Sequence, residues 1–157
     1  MGSFYAYYKN KKAVFFEVIR YYYQRIQQTS FLGDLDPSTV EQPHEFLGIL
    51  IRQLYDAHDI SPKLHREITG MRYSDPEVDR LISAEETKTI EAIRQLLEHM
   101  GPVLAVDDPE AAAHIVHRSA EEVIHSIKIL GSAVDPERLL AELQAMLDRY
   151  LFGPRAD

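Results

Sequence analysis

Histidine and glutamate residues recur at spacings of three and four along one segment of the chain. His114, His117, Glu121 and His125 follow this spacing, which places side chains along one stripe of a helix. Imidazole and carboxylate groups are zinc ligands, so the stripe allows a metal site or, alternatively, hydrogen bonds at an interface or surface. Because Arg118 brings a positive charge to the same segment, we favour the second interpretation and expect neither a metal nor a cofactor.

A second pattern, Glu-x-x-His, is the one by which di-iron four-helix proteins bind their metals, and that architecture needs it twice. The chain has Glu122 followed by His125, but its other instance, Glu41 to His44, contains Pro43 and lies at a predicted helix start. The sequence has no glycine-rich phosphate loop, zinc-protease motif or Gly-x-Ser-x-Gly elbow. We therefore predict that the protein is not an enzyme.

The elements that carry these residues are predicted to be helices. Glycine and proline separate long stretches of helical periodicity, and no alternating run of β-branched residues indicates a strand. Asp-Pro-Glu triplets begin at Asp75, Asp108 and Asp135, where Asp caps free amides, Pro fits the first turn and Glu favours the positive helix end. We expect helix ends near Gly33, Gly70, Gly101, Gly131 and Gly153. The pattern predicts an all-α fold with helices over residues 3–8, 11–29, 41–58, 62–70, 76–100, 109–130 and 136–152.

Charge is unevenly distributed along the 157 residues, which carry a formal net charge of −8 and no cysteine. Residues 1–25 contain five Lys or Arg residues against Glu17 alone. This basic end suits contact with a polyanion, although a solvated lysine cluster gives the same pattern. No apolar stretch approaches the roughly 18 residues of a membrane span, and no signal-peptide pattern opens the chain. We expect a cytoplasmic protein without membrane contact.

The last two predicted helices carry apolar faces that are too wide for one packing partner. One side can face the core and the other a second copy of the chain, in an intersubunit four-helix bundle. Alternatively, both sides are covered within one chain. We predict a homodimer whose interface contains His117, Ala120, Ile124, His125, Leu143, Leu147 and Tyr150.

Residues 2–14 place small residues before an aromatic pair and then a Tyr-Tyr-x-x-Lys-x-x-Val pattern. This segment resembles the end of the helix-turn-helix domain of TetR-family transcriptional regulators, where the pattern is Tyr-Phe-x-x-Lys-x-x-Leu. Tyr8 and Val14 stand where Phe and Leu are common in that family. The resemblance implies that residues 1–10 are the remnant of a helix-turn-helix DNA-binding domain and that residues 11–157 form a TetR-like helical ligand-binding and dimerisation domain.

The resemblance also assigns DNA contacts, with base edges read by Gly2, Ser3 and Tyr7 and phosphates held by Tyr5 and Lys11. Phosphate contacts position a recognition helix, whereas base contacts specify the sequence. Phe4 and Tyr8 are expected to pack the helix. In the family two further helices precede the recognition helix, whereas this chain begins at Met1. We therefore expect these 157 residues to dimerise but to bind duplex DNA weakly and without sequence preference.

Regulators that resemble this chain sense small molecules in a cavity among the middle helices, so polar residues on apolar faces are the candidates. We predict an effector site lined by Tyr22, Ile26, Leu50, Leu54, Tyr55, His58, Glu86, Thr89 and Ile93. Plain core packing is the alternative for each aliphatic residue, and a solvated face is the alternative for Glu86.

These observations favour a TetR-like transcriptional regulator, by resemblance a repressor. Its expected partners are a second copy of itself, an unknown small-molecule effector and, in the full-length protein, operator DNA. The alternative is a ligand-binding or interaction module without DNA binding.

Overall fold

The computed structural model describes residues 11–29, 43–59 and 61–153. All regular structure in these ranges is helical, which confirms the all-α prediction. The helices are α1 (Lys11–Thr29), α2 (Pro43–Ala57), α3 (Pro62–Ser74), α4 (Pro76–Met100), α5 (Pro109–His125) and α6 (Pro136–Phe152). A short 3₁₀ turn, Gly101–Val103, follows α4, and α5 runs on into a π-helical turn, Ser126–Leu130.

The Asp-Pro-Glu triplets begin α4, α5 and α6 as predicted. The carboxylate of Asp75 accepts a hydrogen bond from the Glu77 amide at 2.9 Å. Those of Asp108 and Asp135 accept one from the amides of Ala111 and Arg138, three residues on, at 3.0 and 3.1 Å. Each proline occupies the first turn, where its missing amide hydrogen removes no helical bond. These local signals therefore fix three of the helix starts.

One helix end was wrongly predicted, because α3 continues through Gly70 to Ser74. An isolated glycine inside a helix costs only about 1 kcal/mol relative to alanine. The break comes instead at Asp75, which ends α3 and caps α4. The predicted helix over residues 3–8 and the predicted end near Gly33 lie outside the described residues.

Two main hydrophobic clusters hold the helices of the described ranges together, and a third, small cluster joins Tyr22 of α1 to Ala57 of α2. The larger one joins α2, α4, α5 and α6 through residues such as Ile51, Leu97, Ile124 and Leu147. The smaller one joins α1 and α3 to the first half of α4. Full burial of one aliphatic side chain contributes roughly 1.5–3 kcal/mol. Because α4 spans 25 residues, it belongs to both clusters and connects α1 to the larger core.

Most residues of the predicted dimer interface are buried within a single chain. Five of its seven residues are at most 4% exposed within a single chain, namely His117, Ala120, Ile124, Leu143 and Leu147. Such side chains offer no surface to a second copy, because α2 and α4 already cover them. His125 is also largely enclosed, whereas Tyr150 keeps 36% of its surface exposed. The wide apolar faces are thus covered mainly within the chain.

None of the helices in the described ranges combines the length and the apolar character that a membrane span requires.

Candidate functional site

An apolar cavity of about 80 Å³ lies between α2, α4, α5 and α6. Its walls are aliphatic and aromatic side chains at helical spacing on each of the four helices, including Leu50, Leu54, Ile93 and Val116. Voids larger than a water molecule are few in close-packed protein interiors. The cavity is therefore suited to an apolar group.

His117 is the basic side chain in the lining of this cavity. It is 4% exposed, and its Nε2 atom is buried without a hydrogen-bond partner among the described residues. Burial lowers the pKa of His117, so the ring is neutral near pH 7 and offers one donor and one acceptor. An unpaired buried polar atom is unfavourable. A ligand group that hydrogen-bonds to Nε2 would remove that penalty.

A second, polar pocket of about 210 Å³ lies on the other side of α5, between α1, α3, α4 and α5. Glu86 on α4 lines this pocket and accepts two hydrogen bonds from Arg72 of α3, at 2.6 and 2.9 Å. Arg118 of α5 donates two more, at 3.1 and 2.8 Å. Burial would raise the pKa of Glu86, but these two guanidinium groups lower it below its ordinary value. The carboxylate therefore ties three helices together as an anion.

A histidine–glutamate cluster adjoins this pocket. It is made of His58, which directly follows α2, and of Glu121 and His125 on α5, which also line the pocket. The carboxylate of Glu121 lies 3.5 Å from His58 Nε2 and 3.0 Å from His125 Nε2. His58 Nδ1 is hydrogen-bonded to the carbonyl oxygen of Leu54 at 2.7 Å, which leaves Nε2 facing the carboxylate. His125 Nε2 is close to its neighbour but lacks the alignment of a hydrogen bond.

Two further rings border the histidine–glutamate cluster. The ring centroid of His65, on α3, is 4.4 Å from that of His125 and 6.2 Å from that of His58. Tyr22 of α1 packs edge-on against His65 and His58, and its hydroxyl lies 3.5 Å from His65 Nδ1. Side chains from α1, α2, α3 and α5 therefore meet at this point.

Electrostatics in the cluster are strongly coupled. Burial would raise the pKa of Glu121, but the adjacent His125 and His58 hold it well below its ordinary value. For His58, burial opposes the charged form, yet the carboxylate of Glu121 raises its pKa. Burial and the neighbouring imidazoles lower the pKa of His65 to about 4. At neutral pH the site therefore combines the Glu121 carboxylate with an uncharged His65 imidazole.

The predicted effector residues separate into two groups. Leu50, Leu54, Thr89 and Ile93 line the apolar cavity, while Tyr22 and Glu86 line the polar pocket. His58 is 2% exposed and belongs to the histidine–glutamate cluster. Tyr55 lines neither space and instead packs under Lys128, whose Nζ is 3.9 Å from the ring centroid. The side chain of Ile26 lies outside the described residues.

The predicted DNA contacts Gly2, Ser3, Tyr5 and Tyr7 lie outside the described residues. Lys11 begins α1, but its side chain also lies outside them. Sequence reasoning missed His65 and placed His117 at a dimer interface rather than in a cavity. The recurrence of histidine on α5 was the available signal for His117. No pattern joined His65 to His58 and His125, because the three residues come from three different helices.

The segment that contains α2 to α6 matches the model of a known family. A family model described as "Tetracyclin repressor-like, C-terminal domain" matches residues 43–151. The chain belongs to this family. The matched range begins with α2 and ends within α6, so both the apolar cavity and the histidine–glutamate cluster are built largely from the tetracyclin repressor-like domain. No curated protein matches the chain.

Proposed function

We propose that the chain is the effector-sensing and dimerising part of a TetR-like transcriptional regulator, acting as a repressor. The observation that carries this proposal is the family match over residues 43–151. The resemblance of residues 2–14 to the end of a helix-turn-helix domain supports the same function. Residues 1–10 are then the remnant of the DNA-binding domain, and residues 11–157 form the ligand-binding and dimerisation domain, in a cytoplasmic protein that is not an enzyme.

The effector is a mainly apolar small molecule with one hydrogen-bonding group. Its apolar part occupies the cavity between α2, α4, α5 and α6, and its polar group pairs with His117 Nε2. The cavity, at about 80 Å³, is smaller than the roughly 150 Å³ of an engineered cavity that accepts benzene. Binding of a whole effector must therefore move the helices that form the walls apart.

The movement of the cavity walls is transmitted from the core to α1. Helix α2 forms one wall of the cavity and also contacts α1. The α1 helix is further held by Lys12, whose Nζ lies 2.7 Å from Asp75 and 2.5 Å from Glu77 at the start of α4. An effector that binds only the widened state shifts the population toward it, and α1 carries the change toward residues 1–10.

A homodimer is part of the proposal, with an interface that differs from the one predicted from sequence. Ile115 on α5 is 45% exposed, and Met146 and Tyr150 on α6 are 47% and 36% exposed. The two helices pack against each other, and we propose that these three exposed apolar side chains together form one strip. A second copy covers this strip in an isologous contact.

Chromatin immunoprecipitation with a tag on the chromosomal gene tests the regulatory role. We expect enrichment at a few discrete sites that share an inverted repeat, as a dimeric helix-turn-helix protein requires, and altered transcription of the adjacent genes on deletion. Enrichment no different from that of an untagged strain would overturn the proposal and favour a ligand-binding module without DNA binding.

The effector site is tested by calorimetric titration with 1-decanol and by the substitution His117→Leu. Decanol should bind the wild-type protein saturably and bind His117→Leu more weakly by about fivefold to tenfold, since one net hydrogen bond is worth about 1 kcal/mol. The exposed His114→Leu variant on the same helix is the control and should bind as the wild type does. Equal affinity of the His117 and His114 variants would refute the assigned role of His117.

A further inference from the structure

The histidine–glutamate cluster presents three ligating atoms from two helices in a small space. His58 Nε2, one oxygen of Glu121 and a ring nitrogen of His125 all lie within 4.8 Å of one another. Glu121 and His125 are separated by one helical turn, which places both side chains on the same stripe of α5. His58 comes from the end of α2, where its Nδ1 bond to Leu54 orients the ring.

Two of the separations in this cluster are close to those between the ligand atoms of a bound metal ion. Metal–nitrogen and metal–oxygen bonds of about 2.0–2.1 Å place the ligand atoms of a tetrahedral zinc ion roughly 3.3 Å apart. One carboxylate oxygen of Glu121 lies 3.0 Å from His125 Nε2, and the other lies 3.5 Å from His58 Nε2. A hydrogen bond from one ring nitrogen to a backbone carbonyl, as in His58, also fixes the tautomer that exposes the other nitrogen to a metal.

Features beside the three ligands are consistent with metal binding. His125 Nε2 is buried and has no aligned hydrogen-bond partner in the described part of the chain. The polar pocket reaches Glu121 and His125 and provides a path to solvent. His65 adds a further imidazole beside His125. The positive charge of Arg118, which weighed against a metal in the sequence, is directed to Glu86 instead.

We propose that His58, Glu121 and His125 form a binding site for a divalent first-row transition-metal ion. Two imidazole nitrogens and one carboxylate oxygen suit borderline ions such as Zn²⁺, Co²⁺ or Ni²⁺, whereas Mg²⁺ and Ca²⁺ prefer oxygen ligands. Three protein ligands leave at least one coordination position open to the polar pocket. The ion joins α2 to α5 beneath α1. The proposal concerns metal binding alone and does not depend on DNA binding.

Metal titration of the chelator-treated protein tests the site. Co²⁺ should produce visible absorption bands of a four- or five-coordinate complex and bind with one ion per chain, and Zn²⁺ should displace it. Elemental analysis after dialysis against Zn²⁺ should give the same ratio. Mg²⁺ at equal concentration should produce neither displacement nor a rise in Tm.

Two variants and one control make the result specific. His125→Gln and the nearly isosteric Glu121→Gln should weaken Co²⁺ binding more than about tenfold, because even outer-shell partners of a metal ligand change affinity by about 10- to 100-fold. His114→Gln, exposed on the same helix, should bind as the wild type does. Circular dichroism checks that each variant is folded. A histidine substitution should be better tolerated at position 125 than at position 58, because His125 is less deeply buried than His58. Absence of stoichiometric Co²⁺ or Zn²⁺ in the wild type, or equal binding by His125→Gln and His114→Gln, would overturn the proposal.

Discussion

Glu86 illustrates how a single residue acquires its role from partners that are distant in sequence. Its side chain is only 10% exposed, and it is neutralised by Arg72 and Arg118, which lie 14 and 32 residues away. The sequence indicated a polar residue on an otherwise apolar face but gave no means of naming its partners. Local periodicity shows which face a residue occupies, whereas the pairing across α3, α4 and α5 depends on how the helices pack.

Replacement of Glu86 by Gln should lower the free energy of unfolding by about 1–3 kcal/mol, because it leaves two guanidinium groups facing a buried neutral amide. The pKa of Glu86 is held below its ordinary value of 4.5. The stabilisation is therefore complete above pH 4.5 and disappears as the pH falls through the lower pKa of the folded state. Urea denaturation of both proteins from pH 7 to pH 3 should show the two curves converging in acid.

Glu91→Gln is the matched control for Glu86→Gln. Glu91 pairs with Arg94 on the exposed side of the same helix, where ion pairs contribute little. Its loss should leave the free energy of unfolding almost unchanged. A penalty for Glu86→Gln no larger than that of the control, or one that persists unchanged into acid, would show that the Arg72 and Arg118 pairs do not stabilise the fold.

At the scale of the helices, the starts were predictable and some of the ends were not. An Asp-Pro-Glu triplet is a local signal, and all three begin helices as expected. Gly70 and Gly131 were interpreted alike, yet Gly70 lies inside α3 while Gly131 follows the π-helical turn with φ of +79°. A glycine permits both conformations, so the surrounding helices decide between them. The sequence also left open whether the wide apolar face of α5 is covered within one chain or by a second copy, because this too depends on how the helices pack.

Alanine substitutions at these two glycines should have opposite effects on stability. An added Cβ would meet no atom within 4 Å at either position, so only backbone preference differs. Gly70→Ala should raise the free energy of unfolding by about 0.5–1 kcal/mol, because alanine favours the helix. Gly131→Ala should lower it by about 1–2 kcal/mol, because alanine disfavours positive φ. Thermal unfolding of the two variants would contradict the assignment if both shifted Tm in the same direction.

At the scale of the whole molecule, the proposed dimer rests on the exposed strip of Ile115, Met146 and Tyr150 rather than on the buried faces of α5 and α6. The double substitution Ile115→Glu and Met146→Glu should convert the dimer to a folded monomer, because it places charge in an apolar contact. Analytical ultracentrifugation measures the change. The control is Val103→Glu, which alters an exposed apolar residue in the turn after α4. Monomerisation by the control, or a dimer that withstands the double substitution, would refute this interface.

The proposed regulation requires that occupancy of the core moves α1, the helix that leads toward residues 1–10. Because the sequence has no cysteine, a single spin label can be placed by Tyr21→Cys, at a position of α1 that is 67% exposed. Pulsed electron–electron double resonance then measures the distance between the two α1 helices of a dimer. A label at Tyr73→Cys, on α3 and away from the cavity walls, is the control. Saturation with 1-decanol should shift the α1 distance by on the order of 1–2 Å or more, as in other helix shifts, and change the α3 distance less. Superimposable α1 distances with and without bound decanol would contradict the proposed coupling between the cavity and α1.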